Sequence, residues 1–351
     1  MKNKLFLLFF ALTLLSCSKA EVERELRSGT LLTLTNASLV EKKDGFHLAF
    51  PSISATADFP KIFIVYREGK THVSYDGVLM QKESIDKGKT WINKKIIYQP
   101  ASGADARDPQ FLRLPDGTIL CRFFERSFSA EGKEISDVKC LISKNNGHSY
   151  TYLSTLPNIS QNNLCGARGN MLLVNNEIFS VSYNQWSNSW LVKSQDMGKT
   201  WEYVTSLDGT INPYYPGTRI NEVSIGYDKG KMLLIGRQAE NGDKKLLAGI
   251  SENFGMTWTW EKISIQGHAP SLTFAKDRFI LSYRDVSSTS NFNFSVVTMG
   301  IDQALLSEPE VLITDSSFDL GYGDVLLLEK EYLICFYWRN MIFCMTKPIE
   351  F

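Results

Sequence analysis

Ser84-Ile85-Asp86-Lys87-Gly88-Lys89-Thr90-Trp91 recurs along the chain as Ser194-Gln195-Asp196-Met197-Gly198-Lys199-Thr200-Trp201 and as Ser251-Glu252-Asn253-Phe254-Gly255-Met256-Thr257-Trp258, with a weaker copy at Ser143-Lys144-Asn145-Asn146-Gly147-His148-Ser149-Tyr150. The constant positions are those of a hairpin turn. Asp or Asn bonds its own backbone and tolerates the left-handed region, Gly supplies a positive φ, and the closing aromatic can pack against a sheet. These residues therefore build structure rather than carry chemistry. The copies begin 59, 51 and 57 residues apart, a period long enough for one four-stranded antiparallel unit.

Between the copies the chain consists of short β-rich runs, among them Lys61 to Tyr66, Thr118 to Phe124, Met171 to Val174, Met232 to Ile235, Phe279 to Tyr283 and Tyr332 to Trp338. Asp116-Gly117 and Asn241-Gly242 are hairpin turn pairs, and no window has the period of a long apolar helix. Residues 30–351 hold 5.8 units of the mean period. The expected fold is all-β, a six-bladed β-propeller of four-stranded antiparallel blades in a single domain. Blades with the repeat are expected at 46–105, 106–160, 165–212 and 217–265, and one without it at 268–315. The last would combine strands after Phe318 with a strand from Thr30 to Leu39, which closes the ring and leaves no open edge.

The ends and the composition narrow the partners. With 38 basic and 38 acidic side chains the formal net charge is zero. No basic cluster alternates with aromatics to follow a phosphate backbone, so nucleic acid is not an expected partner. Lys2 and Lys4 precede the apolar run Leu5 to Leu15, which is too short to span a bilayer and reads as an export signal. The run ends in Leu14-Leu15-Ser16-Cys17, which resembles the lipobox of bacterial lipoproteins. That resemblance implies cleavage after Ser16, lipidation of Cys17, and membrane anchorage of an exported domain through the polar leader 18–29. Cys121–Cys140 and Cys335–Cys344 are candidate cross-strand pairs, with buried free thiols as the alternative. The four histidines have no metal-ligand spacing, and the reading calls for no metal and no cofactor.

The octapeptide resembles the Asp-box of the sialidase superfamily, and further segments extend the likeness over residues 30–351. Arg219-Ile220-Asn221-Glu222 followed by Lys231-Met232-Leu233-Leu234-Ile235-Gly236-Arg237 is similar to the sialidase stretch where a Glu enters one strand and an Arg leaves the next. The resemblance implies that Glu222 is the catalytic glutamate and Arg237 a carboxylate-binding arginine. Phe279-Ile280-Leu281-Ser282-Tyr283-Arg284 repeats the strand-then-Arg arrangement and makes Arg284 a second. Gly321-Tyr322-Gly323-Asp324 resembles the segment of the nucleophilic tyrosine, and Arg107-Asp108-Pro109 a pocket-lining element, which assigns substrate contacts to Arg107 and Asp108. The chain also departs from the family. Where sialidases carry a first arginine in Phe-Arg-Ile-Pro, this chain reads Leu48-Ala49-Phe50-Pro51, with Arg67 and Arg107 as the arginines available to replace it. For the acid/base, His72 and Asp76 compete.

The implied chemistry is coherent. A sialic acid bears a carboxylate on its anomeric carbon, so an anionic nucleophile meets repulsion that a neutral phenol does not. A phenol with a pKa of about 10 needs a base beside it, the role of Glu222, and planar guanidinium groups suit a two-point grip on the carboxylate. Two functional classes fit: an exo-acting retaining glycoside hydrolase that removes a terminal acidic sugar from a glycan, and a non-catalytic glycan-binding lipoprotein.

Overall fold

The structure is a computed structural model and describes residues 37–56, 61–184, 188–239 and 243–349. The export signal, Cys17, the leader, residues 30–36 and the Asn241-Gly242 pair lie outside them. Within the described residues the chain is all-β apart from the short helix Leu207–Ile211. β1 (Ala37–Lys42) stands apart from the strands that follow it in sequence. β2 (His47–Ala55), β3 (Ile62–Gly69), β4 (Val78–Ser84) and β5 (Ile92–Tyr98) form an antiparallel sheet, as do β6 (Asp105–Arg113), β7 (Ile119–Phe128), β8 (Glu134–Ser143) and β9 (Thr151–Thr155). β10 (Leu172–Val174), β11 (Glu177–Tyr183), β12 (Ser189–Ser194) and β13 (Glu202–Ser206) form the next.

A seven-stranded sheet follows: β14 (Ile220–Asp228), β15 (Lys231–Gln238), β16 (Lys245–Ser251), β17 (Thr259–Ala275), β18 (Arg278–Asp285), β19 (Phe292–Met299) and β20 (Glu310–Asp315). The expected break between units at residues 265–268 is absent. β17 is continuous and pairs with β16 up to Gln266, then with β18 from Gly267 onward. The last sheet holds β21 (Leu320–Leu327), β22 (Glu331–Trp338), β23 (Met341–Pro348) and, outside β23, β1. The closing strand is thus Ala37–Lys42, starting later than the expected Thr30.

The first strands of successive sheets stand side by side, with β2 between β21 and β6, and β17 between β14 and β21. Apolar layers fill the space between neighbouring sheets. Phe63 and Val65 of the first sheet pack with Phe111 and Ile119 of the second, while Ile62 and Ile64 join Leu333 and Ile342 of the last, so the last sheet packs back on the first. The cysteines in these layers, Cys121, Cys140, Cys165, Cys335 and Cys344, are free. Cys335 and Cys344 face each other in register yet remain thiols, so neither expected disulfide forms.

The copies of the octapeptide form the turns between β4 and β5, β8 and β9, β12 and β13, and β16 and β17. Ser84, Ser143, Ser194 and Ser251 Oγ accept the N–H of Gly88, Gly147, Gly198 and Gly255 at 2.8–3.0 Å. Asp86 and Asp196 each accept both the amide and the hydroxyl of the Thr four residues on, and the residue before each Gly also has a positive φ. The turn also joins sheets: Ser38 of β1 donates to Gly88 O and accepts from Trp91 Nε1, and Ser154 of β9 makes the same pair of bonds to Gly198 O and Trp201 Nε1. A Cβ on Gly255, where φ is +89°, would lie 2.2 Å from Leu191 Cδ2 in the preceding sheet. Gly255→Ala therefore combines backbone strain with overpacking and should lower unfolding free energy by about 2–4 kcal/mol. Gly45→Ala, also at positive φ but with nothing within 4 Å, should lose only the backbone part, about 1 kcal/mol. Urea denaturation of the two variants checks the difference.

Candidate active site

One backbone irregularity, repeated, supplies the site. In β2, β6, β14, β17 and β21 the pairing with the next strand slips and leaves Phe50-Pro51, Asp108-Pro109, Glu222-Val223, Ala269-Pro270 and Tyr322-Gly323 unpaired. The first residue of each pair has φ between 48° and 58°. That region disfavours side chains by about 1–3 kcal/mol, and a bulge held by flanking ladder bonds can impose it. Proline fits the second position because it has no N–H to lose. The residue before each slip pairs across with Arg67, Phe124, Arg237, Arg284 or Tyr337. Arg67, Arg237 and Arg284 are therefore equivalent in register.

Bulge residues and their second-strand neighbours meet in a cavity of about 290 Å³, whose lining includes Glu222, Tyr322, Arg237, Arg284, Asp108 and His72. Tyr322 Oη donates a hydrogen bond to Glu222 Oε1. The same oxygen lies 3.1 Å from Arg237 Nη1, and Glu222 Oε2 accepts the Ala269 amide at 3.0 Å. Arg284 donates from Nε to Leu320 O at 2.7 Å and from Nη2 to Tyr337 Oη at 3.0 Å, with its guanidinium 3.9 Å from the Phe318 ring centroid. Among the described residues Arg237 Nε and Arg284 Nη1 are buried without a hydrogen-bond partner, as is the acceptor Asp108 Oδ1. Two arginines in the cavity lining suit an oxygen-rich, anionic ligand. No cluster of three or more His, Cys, Asp or Glu that could hold a metal occurs among the described residues.

Electrostatics split the two carboxyls. Burial pushes Glu222 up, but the Arg237 guanidinium foremost, then His268, the Tyr322 hydroxyl and Arg284, outweigh it and hold it at about 2. Burial, aided by the Glu222 charge, pushes Asp108 up to about 6 despite Arg168 and Arg107. Burial and the Glu222 charge keep the Tyr322 phenol protonated well above its ordinary range. One cavity thus contains an ionised carboxylate, a phenol bonded to it, and a carboxyl that retains its proton toward neutrality.

Two expected site residues lie elsewhere. Asp76 is not in the cavity lining; its carboxylate accepts the Lys70 amide at 3.1 Å and the Ser74 hydroxyl at 2.5 Å, which closes its own loop. Arg67 is fully buried and paired with Asp105, so it cannot replace the first arginine expected at Ala49. Arg107 does line the cavity, with Nη1 donating to Asp105 Oδ2 and to His72 O. Sequence reading missed Arg168, whose guanidinium lies 5.3 Å from the Tyr322 ring centroid and donates to Gly323 O. It also missed Phe50, which meets Tyr322 edge to face at 5.1 Å. Phe50-Pro51-Ser52 carries the same aromatic-or-charged, Pro, polar pattern as Asp108-Pro109-Gln110, a signal present in the sequence.

Comparison with known proteins adds the fold. No family model matches the chain, and no curated protein matches it. Solved structures do. A protein of unknown function from Dyadobacter fermentans matches with a TM-score of 0.76 at 21% identity, over 92% of this chain and all of that one. The NanB sialidase of Streptococcus pneumoniae matches at 0.67 and 11% identity, over 89% of this chain and 70% of that one. An α-L-arabinanase of Penicillium chrysogenum complexed with arabinobiose matches at 0.62 and 12%, over 91% and 98%. The shared feature is the fold, one found in solved glycoside hydrolases.

The raised Asp108 pKa has a measurable sign. A carboxyl whose folded pKa of about 6 exceeds its ordinary 3.8 favours folding only while protonated, and that contribution is lost as pH rises from about 4 through 6. Asp108→Asn, with a side chain that tolerates positive φ, should stabilise the protein by about 2–3 kcal/mol at pH 8 and by little at pH 4. Urea denaturation at the two pH values reads this directly.

Proposed function

We propose that the chain is a six-bladed β-propeller glycoside hydrolase that removes a terminal acidic sugar, sialic acid or a related sugar acid, with retention. The observation that carries the reading is the Tyr322–Glu222 hydrogen bond set between Arg237 and Arg284. The blade count rests on treating the seven-stranded sheet as two units continuous through β17. The four octapeptide turns, each joining the third and fourth strands of a unit, are Asp-boxes on this reading. Arg237 and Arg284 hold the sugar carboxylate. Tyr322 Oη attacks the anomeric carbon while its proton passes to Glu222, and the bond to the leaving oxygen breaks. That oxygen takes a proton from Asp108, the cavity carboxyl whose environment retains one; water then displaces Tyr322 as both protons return. An anchor at Cys17 would hold this exported domain on a membrane, acting on external glycans.

A glycan-binding protein without catalysis is the second reading. It is favoured by Ala49 at the expected arginine and by the full engagement of Arg67, which leave a clamp of two arginines.

The test is release of free sugar from a sialyl-glycoside and a panel of other acidic oligosaccharides. Tyr322→Phe and Glu222→Gln should reduce release by about 10³-fold or more. Asp108→Asn should retain turnover of aryl glycosides, whose leaving groups need no proton, and lose it on alkyl-linked sugars. No release by the parent, together with saturable binding of one glycan, would replace the hydrolase with the binding protein.

A further inference from the structure

Arg67 has the register of Arg237 and Arg284 but turns its guanidinium away from the sugar site. Its five N–H groups are all used: Nε to Asp105 Oδ1 (2.7 Å), Nη2 to Asp105 Oδ2 (3.1 Å) and Ser74 Oγ (2.9 Å), Nη1 to Thr71 O (3.0 Å) and His47 Nδ1 (3.5 Å). The pair is sterically confined. A Cβ on Gly77 would fall 1.8 Å from Asp105 Oδ1 and 2.6 Å from Arg67 Nε, and one on Gly69 would fall 2.5 Å from Arg67 Nη2.

A guanidinium donates only, so the His47 nitrogen facing it, Nδ1, must accept, and the His47 proton sits on Nε2. That Nε2 lies 3.3 Å from His72 Nδ1 and 3.3 Å from Asp319 Oδ1. Two N–H groups cannot face each other at this distance, so His72 Nδ1 is an acceptor whichever neighbour His47 Nε2 favours. A neutral His72 then carries its proton on Nε2. Its orientation is held by rings at near-right angles, His47 at 4.9 Å and Phe50 at 5.7 Å, and by Arg107 Nη1, which donates to its carbonyl at 2.6 Å. The titratable groups facing it are Arg107, His47, Arg67 and Asp319; burial foremost, then the first three, pushes its pKa down to about 4, against Asp319.

We infer that the buried chain Asp105–Arg67–His47 is a positioning device that fixes the His72 proton on Nε2, so that His72 donates a hydrogen bond to an oxygen of the sugar in the cavity. His72 is then a recognition group and not the acid that protonates the leaving oxygen. The role at the sugar rests on the proposed function; the fixed tautomer does not.

The test uses full-length protein labelled with ¹⁵N-histidine and long-range ¹H–¹⁵N correlation spectra from pH 5.5 to 8, with His72 assigned through His72→Asn. His72 should show a protonated Nε2 and a bare Nδ1 throughout. His47→Phe should leave it as a mixture of tautomers, and His47→Gln, whose side-chain amide can again donate, should restore the parent pattern. Gly77→Ala, which displaces the ion pair, should release the tautomer by a second route. A His72 proton on Nδ1 in the parent, or an unchanged tautomer in both His47→Phe and Gly77→Ala, overturns the inference. These spectra need no sugar, so a fixed tautomer without hydrolysis defeats the proposed function alone. Where hydrolysis is observed, His47→Phe should raise KM about tenfold without moving the pH optimum; an unchanged KM overturns the recognition role.

Discussion

The inner edge of each sheet is satisfied by its neighbour. A first strand has no further strand on its axial side, so its inward N–H groups need acceptors. They come from polar side chains two residues after the first residue of the slip: Ser52 Oγ accepts from Phe111 N, Ser224 Oγ from Leu272 N, and Asp324 Oδ2 from Ile53 N. Asn170 does the same for Ile225 N, and Asp324 also accepts from Ser52 Oγ. These bonds hold the first strands to one another around the axis. They also fix the bulges beside them, because the residue that makes the bond must point toward the next sheet while the bulge residue turns into the cavity.

The roles proposed for the cavity residues follow from that geometry more than from residue type. Arg67, Arg237 and Arg284 share a register position, and their surroundings separate them: Asp105 captures Arg67, Glu222 partly engages Arg237, and Leu320 O with Tyr337 orients Arg284. The carboxyls divide in the same way. Glu222 faces Arg237 and is held down, whereas Asp108 has a buried oxygen without a partner and is pushed up. Two groups of one chemical kind in one cavity thereby differ in protonation between about pH 2 and 6.

Local patterns were legible in the sequence where local chemistry decides the outcome. The octapeptide turns announced themselves because Ser, Asp and Gly bond within eight residues; Glu222, Arg237, Arg284 and Tyr322 were singled out by a resemblance to family segments, and the structure places all four in the lining of one cavity. Long-range pairing was not legible. Arg67 reads as a free arginine until Asp105, 38 residues on, is seen against it. Asp76 reads as a candidate acid until its loop closes on the carboxylate. Arg168 belongs to no strand-then-Arg pattern, and its contact with Gly323 spans 155 residues. The continuity of β17 was hidden too, since the sequence reading places a boundary between units at 265–268 where the chain is paired strand in space.

The outer position of β1 on the last sheet has a consequence for biogenesis. Ala37–Lys42 is made before every other described strand, yet its partner, Met341–Pro348, is the last of them in chain order. The sheet that presents Tyr322 is therefore completed only once β23 has been made, and β1 must wait unpaired while all the strands between them are synthesised. An edge kept open that long invites pairing with another chain, and Ser38, Glu41 and Lys42, half of its six residues, supply the charge and polarity that discourage it.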